Sequence, residues 1–253
     1  MKAVVVGGGL LGLLSARELA QQGAEVTVVE QADFGQESSW AGGGILSPLY
    51  PWNYSNAVND LAGWSQKFYP ERVKQLILES GVDPEWTQSG MLVLEKEPAN
   101  FAVAKKWASQ RDQACVEWDT QRLSKQEAGI GGRYAGLLFP DIAQVRNPRL
   151  LKSLLASCVQ HKVKLIPNCL VTELVHRDGG MMGVRSHAIL FDAEVVVICA
   201  GAWSARLLAS LNLDVSIRPV RGQMIMYRLP AEQRHLIKRI TLLDDHYVIP
   251  RRD

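Results

Sequence analysis

The chain lacks most of the features that mark a specialised setting. Its four cysteines, Cys115, Cys158, Cys169 and Cys199, are scattered and form no Cys-x-x-Cys pair. That excludes a disulfide framework and points to a reducing, cytoplasmic protein. Cys199 lies in an apolar run and reads as a small core residue. His161, His176, His187, His235 and His246 show no metal-ligand spacing, so no metal is expected. Neither sign of charge dominates: 28 basic against 26 acidic residues leave +2, with no basic stripe for nucleic acid and no acidic tail. Glycines interrupt every apolar run within about ten residues, so no membrane span is expected, and the N-terminus reads as a strand rather than a signal peptide. There is no repeat, no low-complexity linker and no evident nucleophile, triad or carboxylate pair. At 253 residues the chain is long enough for one large or two small domains with a packed core.

What is present is concentrated in the first thirty residues. Lys2-Ala3-Val4-Val5-Val6 leads into Gly7-Gly8-Gly9-Leu10-Leu11-Gly12, and Ala16, Leu19, Gly23, Val26, Val28 and Glu30 follow. The order is strand, Gly-x-Gly-x-x-Gly turn, amphipathic helix, second strand and terminal acid, which together form a dinucleotide-binding unit. Gly7 suits the tight turn, Gly9 lets a diphosphate approach the backbone, and Gly12 lets the helix pack on the sheet. The free amides and positive dipole end of the helix would face the phosphates. Glu30 can accept from ribose hydroxyls and would repel a 2′-phosphate. The rival reading is a glycine-rich turn with no ligand.

Beyond Glu30 the pattern leaves that of an ordinary nicotinamide-binding domain. Asp33 to Trp52 is rich in Ser, Gly, Pro and aromatics where a third strand would come. Helical periodicity runs from Asn56 to Glu79, with Leu61, Trp64, Phe68, Val73, Leu76 and Ile77 as the apolar face and Pro70 as a break or kink. A strand is expected at Met91–Leu94 and a helix from Pro98 to Arg111. A second helix is expected from Asn147 to Val159, then strands at Val163–Ile166 and Leu170–His176 with a hairpin through Asp178-Gly179-Gly180. Val195-Val196-Val197-Ile198-Cys199 fits a strand buried on both faces that rejoins the opening sheet. Tyr247-Val248-Ile249-Pro250 reads as a strand, with Arg251-Arg252-Asp253 as the start of a hairpin turn, a half-hairpin that suggests a shortened chain.

In order along the chain stand the first turn, Ser38-Ser39-Trp40-Ala41-Gly42-Gly43-Gly44, Arg146-Asn147-Pro148 and Ala200-Gly201-Ala202-Trp203-Ser204. Pro219-Val220-Arg221-Gly222-Gln223 and Tyr247-Val248-Ile249-Pro250-Arg251 follow. Together these motifs resemble the FAD-dependent amine and D-amino-acid oxidase family, and within it the glycine oxidases of bacterial thiamine biosynthesis. The resemblance implies an α/β fold: a Rossmann-like FAD domain with a glutathione-reductase-like sheet, from residues 1–85 and 142–215. It also implies a substrate domain with a mixed or antiparallel sheet, from 86–141 and 216–253.

The same resemblance assigns residues. Gly7, Gly9, Leu10, Leu11 and Gly12 would form the diphosphate turn, with Glu30 and Gln31 at the adenosine ribose and Ser38 and Ser39 reaching the diphosphate side. Gly43, Gly44 and Ile45 would pass the flavin ring, Val171 would offer its backbone to the adenine, and Gly201 and Ala202 would close over the cofactor. Tyr247 would hydrogen-bond the substrate carboxylate. The rival readings are loop hydroxyls for Ser38 and Ser39, a plain strand residue for Val171 and a packing residue for Tyr247. Trp40, Trp52 and Trp64 read as core or lid packing, and Trp203 as packing beneath the cofactor strand. Family members extend further and carry there an arginine for the substrate carboxylate, which Arg251 and Arg252 do not replace.

The implied chemistry is oxidation of a small amino acid or amine, glycine above all. Hydride passes to the flavin, the imine hydrolyses to the keto acid (glyoxylate) and ammonia, and molecular oxygen becomes hydrogen peroxide. The alternatives are a sarcosine oxidase or D-amino-acid dehydrogenase on the same frame, a catalytically dead flavin-binding remnant, and an NAD-dependent dehydrogenase. Partners are the small substrate and oxygen, with no nucleic acid or membrane, and homo-oligomerisation is left open.

Overall fold

The computed structural model describes residues 1–177, 180–234 and 236–252. Among these, the chain runs through β1 (Lys2–Val6), α1 (Leu10–Gln21), β2 (Glu25–Val29), α2 (Ser38–Ala41) and α3 (Asn56–Ser80). It continues with β3 (Met91–Glu95), α4 (Phe101–Gln110), β4 (Val116–Trp118), α5 (Thr120–Gln126), β5 (Ala135–Phe139) and α6 (Asn147–Gln160). β6 (Lys164–Ile166), β7 (Glu173–Arg177), β8 (Gly180–Ser186), β9 (Ile189–Asp192), β10 (Val195–Ile198), α7 (Ser204–Leu208), β11 (Ile240–Leu243) and β12 (His246–Val248) complete it. Two compact units result. One comprises Met1–Gly42, Lys74–Pro84 and Asn147–Met224; the other comprises Gly43–Val73, Glu85–Arg146 and Ile225–Asp253. Gly43–Val73 groups with the second unit rather than with residues 1–42. Ile45 bridges Gln144, and Leu49, Tyr50 and Trp52 pack against that unit's core.

The first unit is built on a parallel sheet in the order β10-β1-β2-β6. Residues two apart share a face of a strand. Val4, Val6 and Val29 accordingly meet Leu174 and Val184 of the antiparallel β7-β8-β9 meander, with Val171 and Ala193 that flank it. Ala3, Val5, Val26 and Val28 are one step out of phase and face the α1 side, all buried. The strand that rejoins the sheet after more than 150 residues is β10, parallel to β1 with Val4 opposite Val196. It differs from expectation in burial: it is an edge strand, and Val195 is exposed while its neighbours are half-buried. The turn at Asp178-Gly179 lies outside the described residues, although β7 and β8 pair antiparallel as a hairpin requires.

The second unit carries a mixed sheet in the order β12-β11-β3-β5-β4, parallel only between β11 and β3. Met91 and Val93 on one face join Phe101, Leu137, Phe139, Ile240 and Leu242 in its core. Trp52 stacks on Phe139 at 5.9 Å and meets Trp107 edge-on at 6.3 Å. Leu92, Leu94 and Leu138 face the other way, onto Trp118 and Leu123.

Three expectations are corrected. Pro70 neither breaks nor ends its helix: α3 continues through it, forgoing the bond a backbone N–H there would give the Gln66 carbonyl. Of its expected apolar face only Val73 and Leu76 are buried, whereas Leu61, Trp64, Phe68 and Ile77 are exposed, Trp64 lying against Phe68 at 4.5 Å. Trp203 is exposed rather than packed beneath a strand, and so is Trp40, while Trp52 is the tryptophan of that set that packs in the core. The strand around Tyr247 is in addition the return arm of a hairpin with an earlier strand. β12 pairs antiparallel with β11 through Asp244-Asp245, with Asp244 at φ +50 making the turn. Asp253 lies outside the described residues.

Candidate cofactor and substrate sites

The turn after β1 is shaped by what cannot fit there. Gly7 has φ +108, and a Cβ on it would stand 2.3 Å from the Cys199 carbonyl oxygen at the end of β10. On Gly12 a Cβ would meet the Gly7 carbonyl oxygen at 1.9 Å, so α1 rides directly on the turn. Gly8, which sequence reasoning passed over, is equally constrained: the Phe34 ring lies 2.2 Å from where its Cβ would be. Side chains are thus excluded at three positions of a strand-to-helix junction whose first-turn amides have no intrahelical acceptor. No acidic side chain stands in that first turn, and Leu11 is 71% exposed. A positive dipole end with no acidic side chain in the helix's own first turn fits the diphosphate of a dinucleotide.

Ser39 closes one side of this junction. Its hydroxyl accepts from the Leu10 amide at 2.9 Å, and its carbonyl accepts from Asn147 Nδ2 at 3.0 Å. Asn147 is buried at the start of α6, so Ser39 is held from both directions. Ser38 is exposed at the first position of α2 and Gln31 is exposed after β2. Glu30 is 9% exposed, and its carboxylate is occupied at both oxygens. Oε2 accepts from the Gly8 amide at 2.6 Å and Oε1 from the Ala32 amide at 3.0 Å. The acid therefore lies against the turn, stitching the end of β2 to the loop after β1. Val171 is buried in a loop before β7, not in a strand. Gly201 takes φ +52 at the exit of β10, where a Cβ would meet nothing within 4 Å, and Ala202 beside it is half-buried.

Farther along α1, Arg17 is fully buried and pairs with Glu79 at the end of α3, its Nε donating to Glu79 Oε2 at 2.9 Å and to Ser157 Oγ at 2.9 Å. His161 lies 3.5 Å from Glu79. Burial works against ionisation of Glu79. The bonds from Arg17, Ser157 and His161 and the charge of Arg17 outweigh it and hold the carboxyl at about 2. Burial pushes the Cys158 thiol up to about 12, which makes it inert packing.

In the second unit, Gly43, Gly44 and Ile45 form a half-buried segment with Gly44 at φ +67. The Gly44 carbonyl accepts from the Val145 amide at 2.9 Å, and the Leu46 amide donates to the Ala143 carbonyl at 2.9 Å. Tyr247 lines a cavity of about 410 Å³ with Tyr50, Tyr54 and His246, rimmed by Asp244 and Asp245. The Tyr50 hydroxyl donates to the Asp244 carbonyl at 2.7 Å. Burial and the charges of Asp244, Glu95 and Asp245 push it up to about 12. Arg251 and Arg252, the nearest cations in sequence, are engaged elsewhere. Arg251 donates to Gly43, Gln144 and Val145, and Arg252 to the Trp86 carbonyl at 2.9 Å. Among the described residues no cluster of His, Cys, Asp or Glu is placed to hold a metal ion, and no helix is long and apolar enough to cross a membrane.

A glycine turn, a pinned acid and a returning parallel strand make a Rossmann-like frame. The family model of the DAO, FAD dependent oxidoreductases matches residues 2–253, so the chain belongs to that family and is by class an FAD-dependent amino-acid oxidase. It is 41% identical over 253 residues to the glycine oxidase of Pseudomonas putida strain KT2440, covering 100% of this chain and 68% of that protein. It is 28% identical over 252 residues to the bifunctional protein ThiO/ThiG of Trichormus variabilis, covering 99% of this chain and 38% of that protein. The crystal structure of glycine oxidase from Geobacillus kaustophilus matches with a TM-score of 0.90 at 24% identity, over 99% of this chain and 68% of that one, a likeness of fold. The chain thus spans about two thirds of the glycine oxidases it resembles.

Proposed function

We propose that the chain binds FAD and oxidises glycine, or another small amino acid or amine, to an imine that hydrolyses to the keto acid and ammonia. Oxygen is the electron acceptor, hydrogen peroxide the product and thiamine biosynthesis the setting. FAD, when bound, supplies the two-electron acceptor and the route to oxygen. The observation that carries the reading is the junction where Gly7, Gly8 and Gly12 leave no room for a Cβ, walled by Ser39 and Glu30. Likeness to proteins called glycine oxidase and ThiO/ThiG supports the substrate and the setting.

In this proposal the chain's own residues bind and orient. Gly7 and Gly9 shape the diphosphate turn, Leu11 and Gly12 present amides to the diphosphate, and Leu10 ties that turn to Ser39 through its own amide. Ser38 and Ser39 flank the diphosphate, Glu30 and Gln31 meet the ribose, and Val171 meets the adenine with its backbone. Gly201 and Ala202 close over the same ligand. In the second unit Gly43, Gly44 and Ile45 approach the flavin ring and the Tyr247 hydroxyl donates to the substrate carboxylate. A second reading, in which the chain holds FAD without turnover, draws on the cavity beside Tyr247. Two aspartates rim it, and Arg251 and Arg252 are both committed to other partners.

The test is to purify the chain, record its visible spectrum and add glycine, sarcosine and D-alanine under air with peroxide detection. A yellow preparation that makes peroxide from glycine is the expected result. Yellow without peroxide favours the second reading, peroxide from sarcosine or D-alanine alone reassigns the substrate, and a colourless protein that takes up no FAD rejects both.

A further inference from the structure

We infer that Arg251 is a positioning residue that fixes which way the Gly43–Ile45 backbone presents its amides. This rests on the proposed passage of that segment along the flavin ring. Arg251 Nη2 donates to the Gly43 carbonyl at 2.7 Å, and Nη1 donates to Gln144 Oε1 at 2.7 Å and to the Val145 carbonyl at 3.0 Å. One planar guanidinium thus grips both arms of the short antiparallel bridge between Ile45 and Gln144. Gln144 is itself buried and donates to Ser89 Oγ at 3.0 Å, so the anchor for this grip is rigid.

The consequence follows from peptide geometry. In a planar trans peptide the carbonyl and the next N–H point in opposite directions. With the Gly43 carbonyl turned to Arg251, the Gly44 N–H is turned away from it. With the Gly44 carbonyl turned to the Val145 amide, the Ile45 N–H is turned away from that strand. Two successive donors are thereby aimed to the side opposite the clamp. The left-handed Gly44, at φ +67, lacks a Cβ that would resist other settings, so the segment needs an external hold to keep one orientation. A neutral donor would hold the Gly43 carbonyl less firmly than the charged guanidinium does.

The test compares the parent chain with Arg251→Met, Arg251→Lys and Arg252→Met. Arg252 is the control: the adjacent cation, bonded to the Trp86 carbonyl and not to Gly43. Amide exchange is read first, without FAD. Within residues 43–46 the Leu46 amide, bonded to the Ala143 carbonyl, reports the hold: Arg251→Met is expected to speed its exchange about tenfold while Met91–Leu94 stays protected, as loss of charge-assisted bonds allows local opening. Arg251→Lys should fall between, and Arg252→Met should match the parent at 43–46. FAD titration by fluorescence quenching follows, where Arg251→Met is expected to weaken affinity about tenfold and shift the visible band of bound flavin. Should Arg251→Met fail to fold, Arg251→Lys carries the same comparison. Unchanged exchange at 43–46 overturns the inference, as does altered exchange with FAD affinity and band unaltered. A parent chain that takes up no FAD removes the proposed function and the cofactor half of this inference together; its own flat titration reveals that case, and exchange still decides whether Arg251 is a clamp.

Discussion

The two ends of α1 solve opposite problems with opposite materials. At the N-terminal end the structure is made by leaving side chains out: Gly7, Gly8 and Gly12 let backbone meet backbone or a ring at distances no Cβ would permit. At the other end it is made by filling: Arg17 is fully buried and satisfied by Glu79 and Ser157, on α3 and α6. One end leaves amides open to an outside anion, while the other closes an ion pair inside. A polar group earns a functional reading when its bonding capacity points outward, and a structural one when neighbours consume it.

The comparison can be broken from the filled end first. Arg17→Met leaves the Glu79 carboxylate with little solvent and without its cation, and should cost about 3–5 kcal/mol, read as a lower urea midpoint. The double change with Glu79→Leu should recover part of that, since the uncompensated charge goes too. The same pair sets an acid limit. Because Glu79 is held at about 2, below its ordinary 4.5, its contribution is complete above pH 4.5 and is lost as pH falls toward 2. Glu79→Gln should flatten the stability profile in that window, and an unchanged slope would argue against the pair.

The open end should respond less in stability and more in binding. Gly7→Ala combines a strained positive φ with contact on the Cys199 carbonyl and is expected to cost roughly 2–4 kcal/mol and to abolish FAD uptake, measured by thermal melt and titration. The smallest effect belongs to Gly201→Ala. It has φ +52 but open space around it, so only the backbone penalty of about 1 kcal/mol is expected in the same melt. If Gly201→Ala proved as damaging as Gly7→Ala, close approach would not be what distinguishes the turn.

The sequence made the two ends unequally visible. The open end is spelled locally: glycine spacing, a valine strand on each side and an acid after the second lie within thirty residues, and β10 announces itself by five apolar residues in a row. Arg17 gives no such sign. On a helix it reads as a solvated charge, and its partners stand 62 and 140 positions away. The hold of Arg251 on Gly43 spans 208 positions and was hidden for the same reason. The hairpin of β11 and β12 was missed because its turn, Asp244-Asp245, has no glycine and its arms are only four and three residues long. Pro70 misled because a local rule about one missing bond was outweighed by the burial of Val73 and Leu76 on the next turns of α3.

Glu30 has a last implication. For the ribose proposed to dock there, a carboxylate already fastened by the Gly8 and Ala32 amides would have no rotamers left to surrender, which would spare about 0.5–1.5 kcal/mol of ordering cost. Each oxygen keeps a spare lone pair, so the receptor is cast before its guest arrives rather than moulded around it.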